Sequence, residues 1–328
     1  MSSASPARRR LSNVLPFVGG ALLLGYFIKS TDLPAVGAAL QKADTVAFIA
    51  IAAITTLLIW LYDSLCLVWL VRQTLGHRGL PVGGRLRDLA PIKATSYVLN
   101  ILNYHAASLG MAWLIGRRKG VSFLESAGAL ALMSYIDLVA VAGMVVVGLW
   151  VAPEVLAQNA ALQTWLQVVT AAIFCVALVA MLVLQSGWQV PLLVRLRQIS
   201  VLRPLAAMKP LAMLQGVVLR LGIVLAYTAA AFLVMRAFHM DPKLGRMLVV
   251  IPILTVVGTI PISVAGIGTT QVLMRMFYAP FLTAGQTTAV IDAFSSSMIV
   301  GYITCRMIVA APFLRGILAE LKGRPKED

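Results

Sequence analysis

Acidic residues are scarce. The chain has 12 Asp and Glu in 328 residues, against 27 Lys and Arg. Charged residues of both signs reach only 12%, about half the share of a soluble domain. Apolar residues reach 60%, more than a soluble fold can hide from water. Soluble, disordered and fibrous classes are therefore excluded. Cysteine is also rare. Cys66, Cys175 and Cys305 each lie in an apolar run with no CxxC or Cys/His spacing, which excludes a zinc site or disulfide framework and leaves small apolar residues. There is no HExxH, nucleophile elbow or P-loop, so no catalytic residue, metal or cofactor is expected.

What remains is a series of long apolar runs with basic punctuation. Arg8, Arg9 and Arg10 precede a run over residues 11–28. It is long for a signal-peptide core and lacks a nearby small-x-small cleavage site, so it reads as a retained first span. Residues 31–44 read as an interfacial helix. Further spans are expected near residues 46–71, 123–151, 165–184, 211–234 and 284–312. Two more segments are long enough to cross but poorly made for it. Residues 89–115 contain Lys93, Asn100, Asn103, Tyr104, His105 and Ser108, and residues 248–270 are broken by Pro252, Gly258, Pro261, Gly266 and Gly268.

Charge decides how these two segments run. If each dips into the membrane and returns to its own side, 18 Lys and Arg fall on one side and six on the other. The basic side is then cytoplasmic under the positive-inside rule, and it carries both termini at an inner membrane. The +15 net charge is thus a topology signal, and nucleic acid is not an expected partner. Irregular backbone at membrane depth is tolerated where it is buried in protein or lines a wet cavity, so a central polar cavity is expected. The fold class is an all-α polytopic membrane protein with about six full spans and two re-entrant broken helices. The expected divisions are residues 1–45 (first span and interfacial segment), 46–184 (first repeat), 185–210 (basic loop), 211–314 (second repeat) and 315–328 (polar tail).

A shift of 158 residues lays Ala107-Ser108-Leu109-Gly110 on Ala265-Gly266-Ile267-Gly268, and Phe123-Leu124 on Phe281-Leu282. One broken segment enters from each side, so the repeat is expected to be inverted. Inverted repeats whose discontinuous helices meet near the midplane are a transporter architecture.

Four places in the chain carry a family resemblance. They are the span near residues 46–71 with its basic loop, the stretch 100–119 leading into Gly120-Val121-Ser122-Phe123, Tyr135-Ile136-Asp137, and the run 260–271 with Pro261, Gly266 and Gly268. Together they resemble the membrane domain of lysylphosphatidylglycerol synthases, the flippase-like family. Gln271 stands where members carry an acid. The aminoacyl-transfer domain of the synthases has no counterpart in this chain. The resemblance therefore implies movement of a phospholipid or polyprenyl-type lipid between leaflets. Two other readings are a lipid-modifying membrane transferase and a non-catalytic partner of a lipid-biosynthesis complex.

Candidate substrate contacts follow from the two tips. Pro261 breaks the incoming helix and the glycines allow tight backbone. A helix starting near Thr269 presents free N–H groups to an anion, with Ser263, Thr270 and Gln271 as added polar groups. Asn100, Asn103, Tyr104, His105 and Ser108 form the matching tip. Each tip reads either as a contact for a phosphate-bearing or anionic lipid headgroup or as a structural turn. Asp63, Asp137, Arg220 and Asp292 lie inside apolar spans, where an unpaired charge costs about 2.5–3.5 kcal/mol. They are expected to form an intramembrane network, with Arg220 paired to Asp137 or Asp63. Arg220 reads as a buried ion pair or as a phosphate ligand. Without an ATP-binding signature, transport would be passive or driven by an ion gradient. A homo-oligomer is compatible with all of this.

Overall fold

The computed structural model describes residues 32–75, 85–102, 104–152, 160–186, 188–259 and 269–322. The expected first span and the tip residues Asn103, Pro261, Ser263, Gly266 and Gly268 lie outside them. The described residues form helices: α1 (Leu33–Lys42), α2 (Thr45–Leu75), α3 (Leu86–Leu102), α4 (Tyr104–Lys119), α5 (Phe123–Val151), α6 (Ala160–Gln185), α7 (Pro191–Gln198), α8 (Arg203–Ala207), α9 (Pro210–Ala237), α10 (Leu244–Thr259), α11 (Thr269–Tyr278) and α12 (Thr288–Lys322), with a 3₁₀ turn at Ala279–Phe281. The protein is an all-α membrane protein. Five of its described helices, α2, α5, α6, α9 and α12, are long and apolar enough to cross a bilayer. With 31 residues, α2 runs about 46 Å against a hydrocarbon core of about 30 Å.

These helices are apolar nearly all round, so their faces divide between protein and lipid. On α2, Leu67, Leu70 and Val71 are buried with Ile92, Ile115 and Ile136, while Ile54, Leu57, Leu58 and Leu65 stay exposed. On α6, Val168, Val176, Val179 and Leu182 are all exposed, as suits a peripheral span. A second cluster joins Val234, Met235, Met247, Tyr278, Phe281 and Phe294 near the other end of the bundle.

Hydrogen bonds fix which ends lie together. At the basic end, Lys119 Nζ sits 3.0 Å from Asp88 Oδ2, so the start of α3 lies beside the end of α4. Arg203 pairs with Glu125 there at 3.1 Å. Gly120 turns the chain at φ +65°, and Ser122 caps α5 by accepting from the Glu125 N–H. At the opposite end, the Asp44 N–H donates to Ala237 O and the Asp241 N–H to Phe281 O. His239 Nε2 meets Lys42 O at 3.0 Å. Thus α3–α4 and α10–α11 are two hairpins that open at opposite ends.

The two halves pack as counterparts. Helix α5 lies on α10 as α12 lies on α3, α9 meets α5 as α2 meets α12, and α2 and α9 lie against each other at the centre. The first unit is α2 to α5, the second is α9 to α12, and they run in opposite senses. Helix α6 has no counterpart among the described residues of the second unit.

Two sequence expectations change. The basic stretch 185–210 is not a plain loop, because it folds into α7 and α8. Pro191 and Pro204 fall in their first turns, where a missing N–H does no harm. Arg197 ties the stretch to the end of α6 by donating to the carbonyls of Leu184, Ser186 and Trp188. The last span continues past Pro312, which lies inside α12. Helix α1 forms where the interfacial helix was expected, capped by Asp32 accepting from the Ala35 N–H.

Candidate functional site

The centre of the bundle holds a charge network. Arg220 on α9 donates through Nη1 to Asp63 on α2 and through Nε to Asp137 on α5. Its Nη2 reaches the second Asp137 oxygen at 3.0 Å, so the Asp137 contact is bidentate, the geometry a planar guanidinium favours. Lys93 on α3 closes the set, with Nζ 2.5 Å from the other Asp63 oxygen. Two cations balance two carboxylates. All four side chains are at least three-quarters covered. Tyr62 secures the α2–α9 crossing by donating to Leu219 O at 2.9 Å.

The sequence explains why these groups meet. Asp63 and Arg220 each interrupt a long apolar helix, and those helices cross at the centre of the bundle. Close approach needs small residues nearby. A Cβ on Gly216 would lie 2.6 Å from the Trp69 ring, and one on Gly222 would lie 2.5 Å from the Tyr62 oxygen.

Asp292 does not join this network. It pairs with Arg275, with Nε–Oδ1 at 2.5 Å and Nη2–Oδ2 at 2.7 Å. The reason lies in the hairpin. Helix α11 packs back on α12 and brings Arg275 against Asp292, near the non-basic end. Arg275, placed by sequence among the outer charges, is largely covered. A third cation, Arg306 on α12, donates to Tyr227 Oη at 3.2 Å and stacks 5.2 Å from the Tyr97 ring centre.

The tips are described in part. Asn100 ends α3 half-buried and Ser108 is half-buried on α4. Tyr104 and His105 begin α4, and Thr269, Thr270 and Gln271 begin α11; their side chains lie outside the described residues. Each tip therefore adjoins the start of a helix.

Among the described residues no open central cavity is present. Arg220 lines a crevice of about 10 Å³ with Cys66, Trp69, Met133, Ile136 and Gly216. A second, tightly closed crevice lies between Thr56, Ile59, Tyr97, Tyr227, Tyr302 and Arg306. Lys93, Arg275 and Arg306 were not among the expected site residues. Lys93 and Arg306 carry a visible signal, since each interrupts an apolar segment.

A polytopic bundle of apolar helices with ion pairs at its centre is an integral membrane protein. The profile of the lysylphosphatidylglycerol synthase transmembrane region matches residues 13–303, and the chain belongs to that family. A search of curated proteins and of solved structures finds no match.

Proposed function

We propose that this protein moves a phospholipid or polyprenyl-type lipid, one with a phosphate-bearing headgroup, between leaflets. The observation that carries the reading is the neutral network of Lys93, Asp63, Arg220 and Asp137, which bridges two inverted units at the centre of the bundle. Ion pairs inside a membrane bundle mark substrate or ion pathways. Here they link parts of both units, so a rocking motion must repack them. The hairpins α3–α4 and α10–α11 act as re-entrant elements, one from each side, with their tips near the path. The headgroup exchanges its water for the tips and the network, while the acyl chains stay toward lipid. The two units then swap which end is open.

The basic end is cytoplasmic on this reading, because Arg72, Arg117, Lys119, Arg203, Lys209 and Arg315 gather there. The membrane is the inner membrane, and both termini face the cytoplasm. A transferase needs a free acid or base within reach of its substrate. Asp63 and Asp137 are instead held by Arg220 and Lys93, which supports reading the protein as a transporter rather than a transferase.

Reconstitution tests this. Liposomes holding the purified chain should flip labelled phospholipid faster than empty liposomes, and Arg220→Gln should abolish the difference. Equal rates in empty and loaded liposomes, across lipids of several headgroups, overturn the proposal.

A further inference from the structure

Halfway along α12, Arg306 is half-buried against α3 and α9. Among the described residues no carboxylate comes within salt-bridge distance of it. Its polar contacts are all aromatic: Tyr227 accepts from Nη2 at 3.2 Å and the Tyr97 ring stacks on the guanidinium. This differs from Arg220 and Arg275, each of which grips an aspartate.

Two more groups in the same crevice lack partners. Thr56 Oγ1 is buried with no hydrogen bond, and Tyr302 Oη is buried with only Thr55 as a neighbouring hydroxyl. In a helix, a buried threonine commonly donates to the carbonyl four residues back, as Thr95 does to Pro91. Thr56 does not. A buried hydroxyl left unpaired is unfavourable, and here two stand beside an un-neutralised guanidinium. Both Thr56 and Arg306 line a narrow crevice that is closed in this conformation, so an anion enters only as the side chains part. Tyr227, having accepted from Arg306, still has a proton to donate.

We propose that the crevice between Thr56, Tyr97, Tyr227, Tyr302 and Arg306 is a binding site for a phosphate or phosphodiester anion. The donor set is one guanidinium and three hydroxyls, with no competing carboxylate. That is the chemistry of a monoanionic, oxygen-rich group. A neutral sugar or an ammonium group would leave Arg306 unbalanced.

The position adds meaning. Thr56 and Tyr227 each lie seven residues from Asp63 and Arg220 along α2 and α9, about 10 Å at 1.5 Å per residue, on the side away from the basic end. The site therefore stands one step along the bundle from the central network. If the anion is a lipid headgroup, which rests on the transport reading, it is a second station on the same path. The binding itself does not depend on transport.

The test uses the purified full chain in dodecyl maltoside, which contains no phosphate. Native mass spectrometry follows retention of phosphatidylglycerol, with a phosphate-free diacyl glycolipid as comparison, and thermal shift follows inorganic phosphate. Wild type should retain phosphatidylglycerol and shed the glycolipid. Arg306→Gln should lower retention about tenfold or more, as expected for a lost charge-assisted hydrogen bond, and Thr56→Val about threefold. Stabilisation by inorganic phosphate as well identifies the small anion as sufficient; retention of the phospholipid alone identifies the lipid as the source. If Arg306→Gln does not fold, Thr56→Val and Tyr302→Phe decide, because each removes only an unpaired hydroxyl. Equal retention of phospholipid and glycolipid, or wild-type retention in the folded variants, overturns the site. Binding that survives alongside absent lipid flipping keeps the site and overturns only the transport reading.

Discussion

Arg220 and Asp63 stand 157 residues apart, nearly the spacing of the internal repeat, and they pair with each other. Arg220 falls one residue short of the position that the 158-residue shift gives Asp63, and the pair sits where the two units meet. Removing one member strands a buried charge, which costs about 3–5 kcal/mol. Arg220→Gln should therefore lower the thermal midpoint of the purified protein sharply, since it leaves Asp137 without a cation. The double variant Arg220→Met, Asp137→Leu should recover much of that loss, because Lys93 still holds Asp63. Thermal unfolding in detergent measures both. A double variant as unstable as the single one would show that Asp137 is not the stranded group.

At the mouth of the first hairpin, Lys119 holds Asp88 in its ionised form. The hydrogen bond from Lys119, the largest favourable influence, pulls the Asp88 pKa below its usual 3.8. A depressed carboxylate stabilises the fold above the unfolded pKa, and that contribution fades as pH falls through the folded value. Hydrogen exchange over residues 85–90 and 117–121 should thus be flat from pH 8 to about pH 5, once corrected for intrinsic rates. Protection should be lost only below about pH 4. Lys119→Met should remove the acid step. Since Asp88 is partly exposed, the effect should be local opening rather than global unfolding.

Much of this was legible before any coordinates. Long apolar runs mark the spans because no soluble fold accounts for them, and span 123–151 begins and ends as read. Asp63, Asp137 and Arg220 stand out because charge inside an apolar helix must be compensated. Their pairing depends on which helices cross, and the repeat alone hinted at that. Asp292 shows the limit. Its partner Arg275 lies 17 residues earlier in a stretch that reads as an outer loop, and only the fold of α11 back on α12 turns it inward. The Arg306 crevice was hidden for a similar reason, since its tyrosines come from three different helices.

Close packing between the units should be intolerant of added bulk. A Cβ on Gly148 would lie 2.8 Å from the Leu248 backbone carbonyl. Backbone cannot swing aside, so Gly148→Ala should push α5 from α10 and cost about 1–3 kcal/mol. A Cβ on Gly301 would meet the Phe48 ring first, at 2.7 Å. That ring can rotate, so Gly301→Ala should cost less. Comparing the two midpoints checks the ordering, and the reverse order would mean that the α5–α10 contact is looser than this.

The same contact offers a lock on the proposed motion. A Cβ built on Gly245 would lie 3.3 Å from the Ala152 Cβ, close to the separation that a disulfide spans. Ala152→Cys with Gly245→Cys, in a chain whose Cys66, Cys175 and Cys305 are replaced, should crosslink on mild oxidation. The bond would tie α5 of one unit to α10 of the other at the non-basic end and hold that end shut. Lipid flipping in liposomes should then fall to the empty-vesicle rate and return on reduction. The reduced double variant should flip like its cysteine-free parent, which separates the lock from damage by the substitutions. Full-rate flipping by the crosslinked protein would mean that the two units need not part at this end, and the rocking mechanism would have to be abandoned even if lipid transport stands.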